Sequence, residues 1–391
     1  MTSEGDVKVV LSNGVEMPSV GLGTYQMNSA DLETALPAAL DAGYRAFDTA
    51  ASYKNEKFIG EILSRELLKR NLTREDVFIT TKLRPADQGY DKALAALCTS
   101  AGLLGGYVDL FLIHWPGAAK LSPGDDRNRL RRVESWRALQ DAYTLNRKLT
   151  AHSSDQCRSD SDDNCYNDSN SDNGACSNET VQDDNSLPDL SAAEEALKRR
   201  LRGAYVRAIG VSNFTVRHLD TLAAAPDILI CPHVNQCELH PAYHPEDLRE
   251  YCRQHSIHLQ AYSSLGCGAL LADSFLDRFP QIHHMAGKRI QSLIATEVNN
   301  AELKCRTPCN DSSDVLSMPV PVPVPITAPE AAADHLLRTC TVGVYLRWAR
   351  QHGYSIIPKS RTPQRIRDNF AMSMAGAAGG SSKEAAAAAF C

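Results

Sequence analysis

The sequence has no long hydrophobic run. No apolar stretch reaches the roughly 18 residues needed to cross a bilayer, so we expect no membrane span. The chain starts Met-Thr-Ser-Glu-Gly-Asp, without the basic region and apolar stretch of a secretory signal. We therefore expect a cytoplasmic protein that does not act at a membrane.

A strong excess of one charge is also missing. The formal net charge is −6, from 41 Lys and Arg against 47 Asp and Glu. Between Ala151 and Leu190, ten acidic residues stand against the single Arg158, a net charge of −9 that leaves +3 for the rest of the chain. So weak a basic excess predicts no nucleic-acid partner, but it suits a small anionic ligand.

Regular cysteine spacing is absent as well. The 12 cysteines occur at irregular intervals, which in a cytoplasmic context predicts free thiols rather than a disulfide framework. Pairs such as Cys305 and Cys309 match no standard zinc pattern, so we expect no metal site. Cys98 and Cys340 lie in apolar helical patterns, and we interpret them as small buried hydrophobic residues.

What the sequence does contain is an alternation of short β-branched or aromatic runs with longer amphipathic stretches. Candidate strands cover residues 19–22, 44–48, 77–81, 108–113, 206–211, 230–236, 258–262 and 355–358, and helical patterns cover 31–42, 56–70, 91–104, 133–143, 245–255 and 337–352. Eight such units predict an α/β fold, a (β/α)8 TIM barrel. Residues 7–11 and 15–17, joined by Ser12-Asn13-Gly14, predict a short hairpin ahead of it.

Two segments interrupt this alternation. Residues 145–188 are rich in Ser, Asp and Asn, and we predict that they are disordered. Residues 275–334 contain a Pro-Val-Pro-Val-Pro-Val-Pro run that favours an extended polyproline II conformation. We interpret both as insertions into one domain over residues 1–375, followed by a flexible tail at 376–391. Either insertion could bind a protein partner, although nothing in the sequence supports one.

Titratable side chains follow three successive candidate strands. Asp48 comes after Tyr-Arg-Ala-Phe, Lys82 after Val-Phe-Ile-Thr-Thr and His114 after Asp-Leu-Phe-Leu-Ile. Tyr53 lies five residues beyond Asp48, in the same loop. In a parallel barrel these strand ends meet at one mouth, and burying such groups without partners is costly. The pattern therefore indicates a functional site at that mouth.

These four groups suit the delivery of a hydride to a carbonyl carbon. We expect Lys82 to lower the pKa of Tyr53, Asp48 to hold Lys82 in place, and His114 to polarise a carbonyl group. Tyr53 would then protonate the carbonyl oxygen. Each residue alone has an ordinary explanation, such as a solvated loop lysine or a rim aromatic, but four at neighbouring strand ends favour a function. Two aromatic residues are expected to form walls for the substrate: Tyr25 and Trp115.

The motifs around these residues resemble those of the aldo-keto reductase superfamily, in particular aldose reductase-like and prostaglandin F synthase-like members. The stretch GYRAFDTA at residues 43–50, followed by Tyr53, is similar to the family's first signature. LIHWP at 112–116, IGVSNF at 209–214 and IPKS at 357–360 are similar to later ones. The resemblance covers residues 7–369 apart from the two insertions.

The resemblance implies an NADPH-dependent enzyme that reduces small aldehydes or ketones, with Asp48, Tyr53, Lys82 and His114 as its catalytic residues. It also implies that the cofactor binds without a Rossmann domain, and the sequence has no G-x-G-x-x-G motif. The implied cofactor-binding residues are Thr24, Tyr25, Asp48, Ser212, Asn213, Gln236, Tyr262, Ser263, Leu265, Lys359, Ser360, Arg365 and Asn369, and the implied substrate-binding residues are Tyr25, Tyr53, His114 and Trp115. The charges of Lys359 and Arg365 suit a 2′-phosphate, which favours NADPH over NADH.

Two alternatives stay open. One is a dedicated ketone reductase such as a prostaglandin F synthase-like member, which resembles this chain. The other is a cofactor-binding barrel that serves as a regulatory or scaffold subunit, as potassium-channel β-subunits do. The complete set of four residues argues against a loss of chemistry. The C-terminal loop that selects substrates in the family is not recognisable after Phe370, so the resemblance does not identify the substrate.

Overall fold

Eight parallel strands form a ring in the computed structural model, which describes residues 8–159, 190–272, 276–277, 284–285 and 330–374. An antiparallel hairpin of β1 (Lys8–Val10) and β2 (Glu16–Pro18) precedes the ring. The ring consists of β3 (Leu22–Gly23), β4 (Ala46–Asp48), β5 (Phe78–Leu83), β6 (Tyr107–Ile113), β7 (Tyr205–Ser212), β8 (Val234–Glu238), β9 (His258–Tyr262) and β10 (Ser355–Ile356). The described helices are α1 (Ser29–Ala42), α2 (Glu56–Leu68), α3 (Tyr90–Leu103), α4 (Arg127–Ser159), α5 (Ala192–Leu201), α6 (Val216–Ala223), α7 (Glu246–Gln254), α8 (Glu330–Gln351) and α9 (Pro363–Met374).

The ring closes between its first and last strands. Val20 forms a parallel bridge with Ile356, and the amide of Gly21 donates to the carbonyl of Ile356 at 2.8 Å. Two residues further along each strand, the amide of Gly23 donates to the carbonyl of Pro358 at 3.1 Å. A side chain at Gly23 would come within 2.9 Å of a backbone oxygen across this seam, so the close approach of the two strands requires glycine there. The predicted (β/α)8 barrel is confirmed.

Alternation along each strand decides which residues face the barrel interior. One apolar cluster joins the hairpin to inward-facing residues of β4 to β8: Leu11, Met17, Ala46, Phe78, Leu110, Leu112, Ala208 and Val234. Residues of the opposite parity, such as Ile79 and Phe111, pack in the larger cluster under the helices. Because side chains alternate with a period of two, Lys82 has the same parity as Phe78 and points inward, four residues nearer the carboxyl end. The hairpin therefore closes one end of the barrel and leaves polar side chains at the other.

All eight predicted strands overlap observed ones, but the helices differ in two respects. Helices α5 and α6 were not predicted, and α4 continues past the predicted helical pattern to Ser159, into the segment expected to be disordered. Helix α4 continues because Leu145 is buried and the side chain of Asn146 accepts a hydrogen bond from the amide of Val206 at 3.0 Å. Residues 160–189, most of the second insertion and the tail lie outside the described residues. Within the described part of the chain, no helix is long and apolar enough to cross a membrane.

Candidate active site

Asp48 and Lys82 form a buried ion pair at the carboxyl end of the barrel. The Nζ atom of Lys82 lies 2.7 Å from Oδ1 of Asp48 and donates to the carbonyl oxygen of Thr49 at 2.8 Å. Oδ2 of Asp48 accepts a hydrogen bond from Nε2 of Gln236 at 2.7 Å. The side chain of Lys82 is 1% exposed and that of Asp48 is 5% exposed. Both carboxylate oxygens are therefore used, and the position of the ammonium is fixed.

The ring of Tyr53 lies over the ammonium of this pair and beside the ring of His114. Tyr53 ends a single 3₁₀ turn, Ala51–Tyr53, that follows β4. Its ring centroid is 5.2 Å from Nζ of Lys82 and 5.8 Å from the ring centroid of His114. The structure thus brings together the phenol, ammonium, carboxylate and imidazole that the sequence places at neighbouring strand ends.

The environment of Tyr53 keeps its phenol protonated. Burial raises the pKa of Tyr53 above the usual 10.0, and the negative charge of Asp48 raises it further. The expected lowering of this pKa by Lys82 is therefore wrong. The ammonium is paired with Asp48, so much of its effect on the phenol is offset by the carboxylate beside it.

His114 is held as a neutral ring. Burial lowers the pKa of His114 to about 3, and the positive charge of Lys82 acts in the same direction. Its Nδ1 atom lies 3.1 Å from the hydroxyl of Ser52, so the two groups share a hydrogen bond. Sequence reasoning missed Ser52, although its place directly before Tyr53 in the same loop is a signal that could have indicated it.

Polar residues at the ends of β7, β8 and β9 extend the site. Asn213, in the left-handed region at φ 64°, donates from Nδ2 to the carbonyl of His114 at 2.9 Å. Its Oδ1 accepts a hydrogen bond from the hydroxyl of Tyr262 at 2.8 Å. The hydroxyl of Ser212 donates to the carbonyl of Gln236 at 2.8 Å. These bonds fix the half-buried ring of Tyr262 beside the polar floor of the mouth.

Two aromatic side chains stand open to solvent at this mouth. Trp115 is 47% exposed and stacks on His114 with a centroid distance of 6.1 Å. Tyr25 is 56% exposed and its ring lies 5.0 Å from that of Tyr53. Both are therefore placed to contact an apolar group that approaches the four central residues.

The predicted phosphate-binding residues follow the seam of the barrel. Lys359 is exposed just beyond β10, where Pro358 bonds to Gly23. The hydroxyl of Ser360 accepts from the amide of Thr362 at 3.2 Å, ahead of α9. Arg365 is exposed on α9, whereas Asn369 is buried there.

The remaining predicted residues lie on either side of this seam. Thr24 is buried, and its hydroxyl donates to the carbonyl of Asp48 at 2.8 Å, which links the seam to the ion pair. Ser263, at φ 49°, and the half-buried Leu265 lie in the loop after β9. These two residues make no polar side-chain contact with the ion pair in the described structure.

Further buried polar residues support the site without having been predicted. Gln260 accepts from Nε2 of Gln236 at 2.7 Å, inside the barrel. The side chain of Asn55 accepts from the hydroxyl of Thr49 at 2.7 Å and donates to the carbonyl of Thr24 at 3.1 Å, which ties the loop of Tyr53 to the first strand of the ring. A buried glutamine in an apolar strand was the available signal for the first. Among the described residues, no group of three or more His, Cys, Asp or Glu is arranged to hold a metal.

Comparison with known proteins places this architecture in a family. The model of the aldo/keto reductase family matches residues 19–375. Glyoxal reductase of Bacillus subtilis is 33% identical over 278 residues, which cover 71% of this chain and 74% of that protein. The 9,11-endoperoxide prostaglandin H2 reductase of Trypanosoma cruzi is 29% identical over 367 residues, covering 93% of this chain and 84% of that protein.

A solved structure agrees with these relatives. A Gox0644 variant crystallised in complex with NADPH is 25% identical, with a TM-score of 0.55, and the match covers 94% of this chain and 88% of that one. The sequence motifs, the barrel and these matches lead to one conclusion: the chain belongs to the aldo/keto reductase family.

Proposed function

We propose that the protein reduces small aldehydes or ketones to alcohols with NADPH, and that Tyr53 donates the proton. The observation that carries this proposal is the convergence of Tyr53, His114 and the Asp48–Lys82 pair at one mouth of the barrel. When bound, NADPH would supply the hydride. The chain's own residues must orient the carbonyl group and deliver the proton.

The protonation states of His114 and Tyr53 fit these two tasks, the orientation of the carbonyl group and the delivery of the proton. In the tautomer of neutral His114 in which Nδ1 accepts from Ser52, Nε2 carries the proton and can donate a hydrogen bond to a carbonyl oxygen. Tyr53, whose pKa is raised, keeps the proton that the product alcohol needs. The ammonium of Lys82 uses two of its three N–H donors on Asp48 and Thr49, and its charge can stabilise the phenolate left after transfer.

The residues at the seam fit a cofactor with a 2′-phosphate. Lys359 and Arg365 are exposed and form no ion pair within the described ranges, so their charges are available to a phosphate dianion. Arg361, by contrast, is paired with Asp31 at 3.2 Å. The amino end of α9, which begins at Pro363, adds its backbone amides. The ring of Tyr262 would pack against the nicotinamide.

The assay that tests the function follows the loss of NADPH absorbance with glyoxal and with butanal as substrates. We expect turnover with at least one of them, together with formation of the corresponding alcohol. If NADPH binds but neither these nor a wider panel of aldehydes and ketones is reduced, the catalytic proposal fails and a regulatory cofactor-binding barrel is favoured.

Replacing Lys359 should change the choice of cofactor. We expect Lys359→Met to raise the KM for NADPH about tenfold or more, with little effect on the KM for NADH, because only NADPH carries the charged 2′-phosphate. Arg367→Met is the control, since Arg367 is also exposed, lies on α9 shortly after Lys359 in the chain, and bonds to Gln364 at 3.0 Å. An equal rise for both cofactors would show that Lys359 does not contact the 2′-phosphate.

The pH dependence should lack an ordinary histidine transition. Because the pKa of His114 is about 3, the ring is already neutral well below neutral pH and does not change charge above it. We therefore expect kcat/KM for aldehyde reduction to stay flat from about pH 5 to 8. A change centred near 6.5 in the wild type that is absent from His114→Gln would contradict the neutral ring described here.

A further inference from the structure

Three arginines that have no acidic partner among the described residues lie in the first two turns of α4 and α6, two helices that pack against each other. Arg132, in the second turn of α4, is 6% exposed, and its Nη1 donates to the carbonyl of Pro116 at 2.8 Å. Its guanidinium carbon is 5.9 Å from the ring centroid of Phe214, the residue after Asn213. Arg132 therefore connects the loop after β6 with the loop after β7 at the rim of the mouth.

The charge of Arg132 is buried and uncompensated within the described structure. Its Nε atom is buried and has no hydrogen-bond partner in that part of the molecule. Burial lowers the pKa of Arg132, and the charges that add to this effect are positive ones, from Arg217 and Arg129. A buried charge without a counterion is costly, so an anion at this position would stabilise the fold locally.

Helices α4 and α6, which meet here, carry basic residues at their amino ends, where positive charge is unfavourable. Helix α4 begins with Arg-Asn-Arg-Leu-Arg-Arg, has no acidic residue in its first turn and exposes Arg129 there. Helix α6 begins with Val-Arg-His, again without an acidic residue, and exposes Arg217. The amino end of a helix carries partial positive charge. Arginines at the amino ends of both helices therefore add repulsion, which a bound anion would remove.

The neighbouring His218 is also affected by the positive charge of these arginines. Burial lowers the pKa of His218 to about 4, with further lowering by Arg132 and Arg217. Its ring lies 5.8 Å from that of Phe214, against which Arg132 also packs. Other arginines nearby are neutralised, since Arg127 pairs with Asp125 at 2.7 Å and Arg131 pairs with Glu134 at 3.1 Å. Arg129, Arg132 and Arg217 therefore differ from these paired arginines, because no carboxylate among the described residues balances their charge.

We propose that Arg129, Arg132 and Arg217 bind the carboxylate or phosphate group of an anionic carbonyl substrate whose aldehyde or ketone end enters the mouth. The inference rests on the proposed reductase function and narrows its substrate class. Arg132 bonds to the carbonyl of Pro116, which directly follows Trp115, and the exposed ring of Trp115 stacks on His114, so the middle of such a substrate would lie along an aromatic surface. Planar guanidinium groups suit carboxylate and phosphate oxygens through paired N–H donors.

The kinetic test compares two aldehydes that differ by one negative charge, 4-oxobutanoate and butanal. In Arg217→Gln and Arg129→Gln, we expect the ratio of kcat/KM for 4-oxobutanoate to that for butanal to fall about ten- to a hundredfold, as for a lost charge-assisted hydrogen bond. These two residues are exposed, so the test does not depend on the folding of an Arg132 variant. Arg131→Gln is the control, and it should leave the ratio unchanged. An unchanged ratio in both exposed variants overturns the proposal.

A binding experiment distinguishes a site for the anionic group of the substrate from a site for a free anion. Inorganic phosphate is titrated by calorimetry into protein saturated with NADP⁺, so that phosphate does not compete for the seam. Binding that is lost in Arg217→Gln and competes with 4-oxobutanoate supports the substrate site. Binding that is lost in Arg217→Gln without any competition would assign the arginines to a free anion and overturn the substrate assignment. If wild-type protein reduces neither these two aldehydes nor the wider panel of carbonyl compounds, the reductase function fails, and the substrate assignment fails with it. Phosphate binding would then still report whether the arginines bind an anion.

Discussion

Tyr53→Phe should lower kcat for aldehyde reduction about a hundred- to ten-thousandfold, the usual contribution of a positioned acid. The substitution removes only the hydroxyl, while the ring keeps its contacts with Lys82, His114 and Tyr25. The Kd for NADPH should therefore change less than about twofold, since the hydroxyl serves only proton transfer. Steady-state kinetics with butanal and fluorescence titration with NADPH measure the two effects.

Tyr243→Phe is the matched control for this loss. Tyr243 is 55% exposed in the loop after β8, and its backbone bonds to His240. Removing its hydroxyl should leave kcat close to the wild-type value. An equal loss of kcat and of NADPH affinity in Tyr53→Phe would show that the phenol holds the cofactor and is not the proton donor.

The sequence was sufficient for the strands because a parallel barrel buries both faces of each strand. Runs such as residues 108–113 are apolar throughout most of their length, and a polar residue directly after the run indicates where the strand leaves the core. Parity then predicts that Asp48, Lys82 and His114 all point toward one mouth. The convergence of the four central residues could therefore be predicted before any distance was known.

Helices whose partners are distant in sequence were harder to predict. Helix α4 is held at Asn146 by the backbone of Val206, sixty residues later, and no local pattern reports that contact. Helix α5, by contrast, had a readable start, because Ser191 and Glu194 form a capping box that sequence reasoning overlooked. A local signal was therefore available for the start of α5 but not for the continuation of α4.

The sign of the pKa shift at Tyr53 could not be predicted from residue types. A lysine nearby lowers the pKa of a phenol, whereas burial and a carboxylate raise it. Which effect dominates depends on how closely Lys82 pairs with Asp48 and on how deeply the phenol is buried. Those quantities are tertiary, as is the contact between Ser52 and His114.

Lys82→Met should lower both stability and activity. The substitution leaves the carboxylate of Asp48 buried without its ammonium partner, which should reduce the free energy of unfolding by about 3–5 kcal/mol, as for a broken buried pair. Activity should fall as well, because the phenolate left by proton transfer loses the nearest positive charge. Denaturant unfolding and steady-state kinetics with NADPH and butanal measure these two losses.

The double variant Asp48→Asn/Lys82→Met separates the two roles of the pair. Without a buried charge on either side, much of the lost unfolding free energy should return, since the amide oxygen of the introduced asparagine can still accept a hydrogen bond from Gln236. Activity should not return, because the ammonium beside Tyr53 is still absent. Recovery of both together would mean that Lys82 acts only by keeping the mouth folded, and the charge of the ion pair would then have no part in the proton transfer.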